Sequence, residues 1–252
     1  MASSSVQTVE KALKILILLG EKMMSLTQIC QATGYHKSTA HRILRTLEDY
    51  KFVQRDPRSG AYAIGLKVVD LSSMQLNKLE LKTEAAPYLR QLARYMGYAV
   101  HLGIRDDTEV VYIEKIEPVN TLRMFSEIGK RVPLYSTALG KCLLISHSDE
   151  EIARLFRDTE LAPRTPHTIA TIEALQREIA QARRDGYAVD EEENEPGIYC
   201  IAAPIYDYRG KAIASLSTSV DDIALIRRPE TLARVKDTAL SISRAIGYTG
   251  CR

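Results

Sequence analysis

The stretch Ser25–Tyr50 constrains the fold more than any other part of the chain, because it reads as two helices joined at a single glycine. Ser25 and Gln28 have the spacing of a capping box, which predicts a helix beginning at Leu26. Gly34 can adopt the left-handed conformation that ends a helix and turns the chain sharply. In the following helix Ala40, Ile43, Leu44 and Leu47 recur at three- and four-residue steps and predict a core-facing stripe. Ser38, His41, Arg42 and Arg45 share the opposite side, where a helix seated in the major groove presents donors to phosphates and base edges. An ordinary amphipathic hairpin with a solvated basic face has the same local pattern, so the neighbouring segments must decide.

They favour a DNA-binding head. After Tyr50, the turn cluster Asp56-Pro57-Arg58-Ser59-Gly60 separates two runs of strand-forming residues, Phe52–Arg55 and Ala61–Ile64. A β-hairpin directly after a helix-turn-helix is a wing, with Arg55 and Arg58 on or near its tip. Before the motif, Val6–Leu19 reads as a helix capped by Ser5 or Thr8, with Val6, Val9, Leu13, Leu16 and Leu19 on the core side. Three helices and a hairpin in residues 1–65 give the winged helix-turn-helix order. The expected DNA-contacting set is Ser25, Thr27, Lys37, Ser38, Thr39, His41, Arg42, Arg45, Arg55 and Arg58.

Charge is distributed accordingly. Residues 1–65 hold nine basic and five acidic residues, whereas the remainder holds 25 and 27. A mildly positive head on a slightly acidic body suits phosphate binding by the head alone. At 252 residues the chain has room for two domains, and 45% hydrophobic with 26% charged residues describes a soluble globular protein. The apolar run Ala12–Leu19 is interrupted by Lys14 and is too short to span a bilayer. The N-terminal segment lacks the form of a secretory signal, so a cytoplasmic location is expected. Cys30, Cys142, Cys200 and Cys251 are scattered without a paired spacing, which argues against structural zinc or a disulfide framework and predicts three buried, reduced thiols.

Gly65 marks the end of the head. Leu66, Val68, Val69, Leu71, Met74, Leu76 and Leu79 follow at helical spacing, predicting a linker helix over 66–79. A second helix over Glu80–Met96 carries an apolar stripe of Ala85, Leu89, Leu92, Ala93 and Met96; Pro87 should kink it or delay its start. From Tyr98 the pattern shifts to short strands: Tyr98–Ile104 and Glu109–Ile116 about a turn at Arg105-Asp106-Asp107, then Leu122–Phe125 and Pro133–Tyr135. A helix opens at Ser136-Thr137, Ser148 caps Asp149–Arg157, and Thr171 caps a helix ending at Gly186. Ile198–Tyr206 and Lys211–Ser219 flank a hairpin turn, and Arg228–Ile246 closes the chain as a helix. An antiparallel sheet with helices around it makes residues 80–252 a sensor-like α+β domain.

Five ordered motifs then carry a family resemblance: Lys37-Ser-Thr-Ala-His-Arg-Ile-Leu, Tyr135-Ser-Thr-Ala-Leu-Gly-Lys141, Gly186-Tyr-Ala-Val-Asp-Glu-Glu-Glu193, Gly197-Ile-Tyr-Cys-Ile-Ala-Ala-Pro204 and Ser215-Leu-Ser-Thr-Ser219. With these the chain resembles, from end to end, the IclR family of bacterial transcriptional regulators. The resemblance implies a winged helix-turn-helix, a linker helix and a GAF-like effector domain, assembled as dimers or dimers of dimers on double-stranded operator DNA. It also implies an effector pocket in which the helix opening at Thr137 and Ala138 meets a carboxylate through main-chain N–H groups. Asp190, Ile198, Cys200, Ser217 and Ser219 match its other positions. Ser217 and Ser219, two apart on a strand, project to one face and can donate to a carboxylate or a hydroxyl-rich ligand. Taken singly, Cys200 reads as a core cysteine, Asp190 as part of a solvated acidic run, and the serines as an exposed strand face.

Arg123 and His101 are added on pattern alone, the first for bidentate carboxylate pairing, the second as a residue opposite Val100 and Leu102 that also fits a satisfied core histidine. The segment Leu122–Ala138 resembles the branch sensing keto-deoxy sugar acids, which implies a sugar acid effector and control of genes for its catabolism. A rival enzyme reading has Cys200, His101 and Asp190 to draw on, but no Gly-x-Ser-x-Gly, phosphate loop or metal-ligand pair supports it. A purely DNA-organising protein has no need of a large ligand-binding domain. No catalytic residue, metal, cofactor or membrane partner is therefore expected.

Overall fold

The computed structural model describes residues 6–71, 80–118 and 126–250. The chain divides into two compact units, Met1–Lys78 and Leu79–Arg252.

In the first unit the helices are α1 (Gln7–Glu21), α2 (Leu26–Thr33) and α3 (Lys37–Asp49), followed by the hairpin β1 (Val53–Arg55) and β2 (Tyr62–Ile64). The capping box forms: Ser25 Oγ accepts from the Gln28 N–H at 3.3 Å, and Gln28 Oε1 accepts from the Ser25 N–H at 2.8 Å. Gly34 ends α2 at φ 72°, a conformation in which a Cβ would be strained. Ile15, Leu19, Ile29, Ile43, Leu44, Val53 and Tyr62 pack into one core, with Leu47 against it. Main-chain hydrogen bonds between Met24 and Tyr62, at 2.8 and 3.0 Å, lash the start of the helix-turn-helix to the wing.

The phase of α1 differs in part from the expected one. Leu19 is buried and Leu16 packs against the core as expected, but Val6, Val9 and Leu13 are exposed, with Ile17 beside them, and Ile15 is buried instead. The apolar sector of this helix is wide, so two stripes satisfy the same spacing; contact with α3 and the hairpin selects the one through Ile15. Among the described residues no side chain caps α1, whose N-cap is Val6 and not Thr8; Ser5 lies outside the described residues. Residues 67–71 continue as a helix. The rest of the predicted linker helix lies outside the described residues.

The second unit begins with α4 (Glu80–Met96), through which Pro87 passes without delaying the start. A six-stranded sheet follows, built from β3 (Val100–Asp106), β4 (Glu109–Ile116), β5 (Arg131–Pro133), β6 (Ala188–Glu191), β7 (Tyr199–Tyr206) and β8 (Ala212–Val220). Its order is β5-β4-β3-β8-β7-β6, every pairing antiparallel. The β3–β4 turn sits at Asp107-Thr108 rather than at Arg105, because Arg105 and Asp106 still pair with Val110 and Glu109. The predicted strand over Leu122–Phe125 lies outside the described residues. Pro133 ends its strand instead of starting it, while the strand β6, unforeseen, forms the far edge.

Between β5 and β6 come α5 (Ala138–Leu143), α6 (Asp149–Leu155) and α7 (Ile172–Asp185); α8 (Ile223–Ile226) and α9 (Pro229–Ala245) close the unit. Helices α4 and α9 pack together and on the sheet, and α5 packs on β7 and β8. Ser148, with Glu151, and Thr171 cap α6 and α7 as the sequence predicts. Gly140 is required by close approach. A Cβ there would lie 2.1 Å from Leu134 O and 2.4 Å from Leu134 Cα, so α5 is pressed onto the chain that leads into it.

Candidate functional site

On the first unit, α3 leaves Lys37, Ser38, His41, Arg42 and Arg45 exposed while Ala40, Ile43 and Leu44 are buried, so the basic residues form one outward face. Thr39 is half-buried at its margin, and Thr27 is exposed on α2. Ser25 is largely occupied by its capping bonds. In the wing, Arg55 Nε donates to Gly60 O at 3.1 Å and its guanidinium lies 5.7 Å from the centre of the Tyr62 ring, which pins it across the hairpin. Arg58 stands exposed on the tip. Asp56 Oδ1 accepts from the Ser59 N–H at 2.6 Å, the Ser59 hydroxyl at 2.9 Å and the Arg58 N–H at 3.0 Å, and these bonds hold its carboxyl below the usual range. The tip is thus a hydrogen-bonded Asx-type turn presenting an exposed cation.

In the second unit, a cavity of about 40 Å³ lies between the sheet, the opening of α5 and the turn after β6. Thr137, Ala138, Asp190, Ile198, Cys200, Ser217, Ser219 and His101 all line it. The strand registers explain the convergence. His101 is paired with Ser217 across β3–β8, Cys200 with Ser219 across β7–β8, and Asp190 with Cys200 across β6–β7, so one face of four strands supplies the wall. Arg123 lies outside the described residues.

The polar groups here are withdrawn from solvent. His101 is 1% exposed; Nε2 shares a 2.7 Å hydrogen bond with Ser126 Oγ, and burial pushes its pKa down to about 3, which keeps the ring neutral. Asp190 is 3% exposed, and burial, followed by the nearby Glu193 carboxylate, raises its pKa to about 7. Its Oδ1 accepts the Glu193 N–H at 2.7 Å. Cys200 Sγ donates to Ser219 Oγ at 3.2 Å, and burial pushes its thiol well above the ordinary value. Thr137 Oγ1 accepts from the Gly140 N–H at 3.1 Å and donates to Pro133 O at 2.9 Å, so this hydroxyl shapes the helix opening.

Three bland expectations are overturned. Asp190 and Glu193 are buried rather than part of a solvated acidic run, because β6 is covered by α5 and α7. Ser217 and Ser219 are buried in the cavity wall rather than on an exposed strand face. Of the cysteines, Cys142 is fully buried, Cys30 is half-buried, Cys200 is half-buried as a residue although its thiol is enclosed in the cavity wall, and Cys251 lies outside the described residues.

Sequence reasoning missed Tyr112, Ser126, Asn194 and Glu195 on the cavity wall, and Lys130 at its margin. Ser126 and Lys130 fall within the 122–138 segment that carries the sugar-acid resemblance. Tyr112 carried no signal, since it is one aromatic in an ordinary strand. Lys141, the last residue of the Tyr135–Lys141 motif, is wholly buried.

The head and body both match known families. The IclR helix-turn-helix domain matches residues 8–57, and the C-terminal domain of the bacterial transcriptional regulator IclR matches residues 73–244. The transcriptional regulator XynR of Escherichia coli is 38% identical over 250 residues, covering 96% of this chain and 98% of the relative. The regulator KdgR of the same organism is 37% identical over 247 residues, covering 97% and 94%. The crystal structure of Thermotoga maritima IclR superposes with a TM-score of 0.81 at 34% identity, over 97% of this chain and 100% of that one. A winged head with a basic outward helix, an antiparallel-sheet body and full-length likeness to characterised regulators converge: the chain belongs to the IclR family of bacterial transcriptional regulators.

Proposed function

We propose that this DNA-binding regulator is a repressor whose hold on its operator is controlled by a small hydroxylated carboxylate, a sugar acid, and that it governs genes for that compound's catabolism. The observation that carries this reading is the buried cavity, in which hydroxyls, a neutral imidazole and a protonatable carboxyl converge beside a helix opening. The resemblance of the 122–138 segment to the sugar-acid branch supports it. The opening at Thr137–Ala138 suits the ligand carboxylate, and Ser217, Ser219 and Asp190 suit its hydroxyls. With a pKa of about 7, Asp190 both accepts and donates near neutrality, so it need not repel an anion. The cavity holds only about three waters, so the walls must part to admit such a ligand.

DNA contact is assigned to the α3 face, with Arg42 and Arg45 at base edges and Arg58 on the phosphate backbone. Pairing of two copies, or of two pairs, is supported by the exposed apolar side of α1, formed by Val6, Val9, Leu13 and Ile17. The division into a head over 1–65, a linker over 66–79 and an effector domain over 80–252 belongs to the same proposal. A thermal-shift screen of sugar acids and plain carboxylates, followed by operator release measured by fluorescence anisotropy, tests it. Stabilisation by a hydroxylated acid with loss of operator affinity is expected; preference for plain acids, or no release, refutes the sugar-acid assignment.

A further inference from the structure

Lys141 has no exposed surface, yet it does not line the cavity. Its ammonium donates to Glu193 Oε1 at 2.6 Å, Val189 O at 2.9 Å and Glu178 Oε2 at 3.3 Å. One end of this arrangement is α5, whose first turn forms a cavity wall; the other is β6 and its following turn, which supply Asp190, Asn194 and Glu195 to the opposite wall. Glu193 in turn donates its N–H to Asp190. Glu193 Oε2 is buried with no hydrogen-bond partner among the described residues, so the lysine is the ion that compensates this carboxylate.

We propose that Lys141 is a positioning residue for the cavity: its buried ammonium ties the α5 wall to the β6 turn, and together with Glu193 it sets how Asp190 meets a bound molecule. Removing one partner of such a buried pair leaves an uncompensated charge in the interior. The charged and titratable groups around Asp190 are Glu193 and Glu195 from its own turn, Lys141 from α5, Cys200 from β7 and Tyr112 from β4, with Glu178 of α7 behind Lys141 and neutral His101 on β3 in the same cavity. Of these, Glu193 favours the protonated form of Asp190 and Lys141 the ionised form.

The test is carboxyl ¹³C NMR of Asp190 in the full-length protein, titrated with pH. Glu193→Gln should lower the Asp190 midpoint by about one pH unit, and Lys141→Met should raise it. Opposite shifts are what positioning through charge requires and what general loosening does not produce. Shifts in the same direction, or an unmoved midpoint in Glu193→Gln, overturn the proposal. Because Lys141→Met can unfold the unit, Lys141→Gln, which keeps a hydrogen-bond donor while removing the charge, takes its place if that happens, with the same upward shift expected and an unmoved midpoint overturning the proposal. The cavity's use for an effector rests on the reading above, but this titration needs no ligand, so the two can fail separately.

Discussion

Replacing Asp190 by asparagine isolates the energetic consequence of burying this carboxyl. The wild-type group moves from about 3.8 unfolded to about 7 folded. A raised folded value means that protonation favours the folded state. The contribution is complete below about pH 4 and is lost as pH rises through about 7. A shift of this size corresponds to roughly 4 kcal/mol in all, of which about 3 kcal/mol falls between about pH 5 and about pH 8. Asparagine keeps the oxygen that accepts the Glu193 N–H at 2.7 Å but cannot ionise. Thermal unfolding of both proteins, followed at the two pH values, should show the asparagine variant gaining on wild type by about 5–10 °C in Tm as pH rises, at roughly 2–4 °C per kcal/mol for a unit of this size. The comparison of differences cancels every titrating group that does not interact with Asp190. A Tm gap that stays constant between the two pH values would refute the claim that Asp190 is buried as an acid.

Arg42→Ala should weaken operator binding by about 1–3 kcal/mol in an anisotropy titration while leaving Tm nearly unchanged, since Arg42 is exposed. Arg58→Ala should weaken operator and random DNA by similar factors and make the salt dependence shallower, as an exposed cation on the wing tip meets phosphate; a loss confined to the operator would show that the wing reads sequence. Gly140→Ala should destabilise the second unit by about 1–3 kcal/mol or more in urea unfolding, because the added carbon would sit 2.1 Å from Leu134 O.

Much of the head was legible because its signals are local. The capping box at Ser25–Gln28, the left-handed turn at Gly34 and the α3 stripe each involve residues within one helical turn of their partners. The phase of α1 was not legible, for its apolar residues fill two competing stripes and only packing against α3 and the hairpin chooses between them. In the body, helix caps at Ser148 and Thr171 were readable for the same local reason. The strand β6 was not: Ala188–Glu191 is short and acidic, and it becomes a strand only because β7 offers it an edge.

The cavity residues came partly from motif resemblance, which names positions without stating their surroundings. Ser217 alternates with buried neighbours in any strand, and nothing in the sequence says whether its face meets water or α5. Likewise Lys141 and Glu193 are 52 positions apart, and a buried ion pair at such separation leaves no periodic trace. Local stereochemistry and spacing therefore specified which segments are helices, which carries the basic face and where the motifs lie. Burial and register at Asp190, His101 and Lys141, and protonation at Asp190 and His101, were decided only by the folded sheet. They depend on desolvation and on charges from distant segments, and both exist only once those segments are packed together.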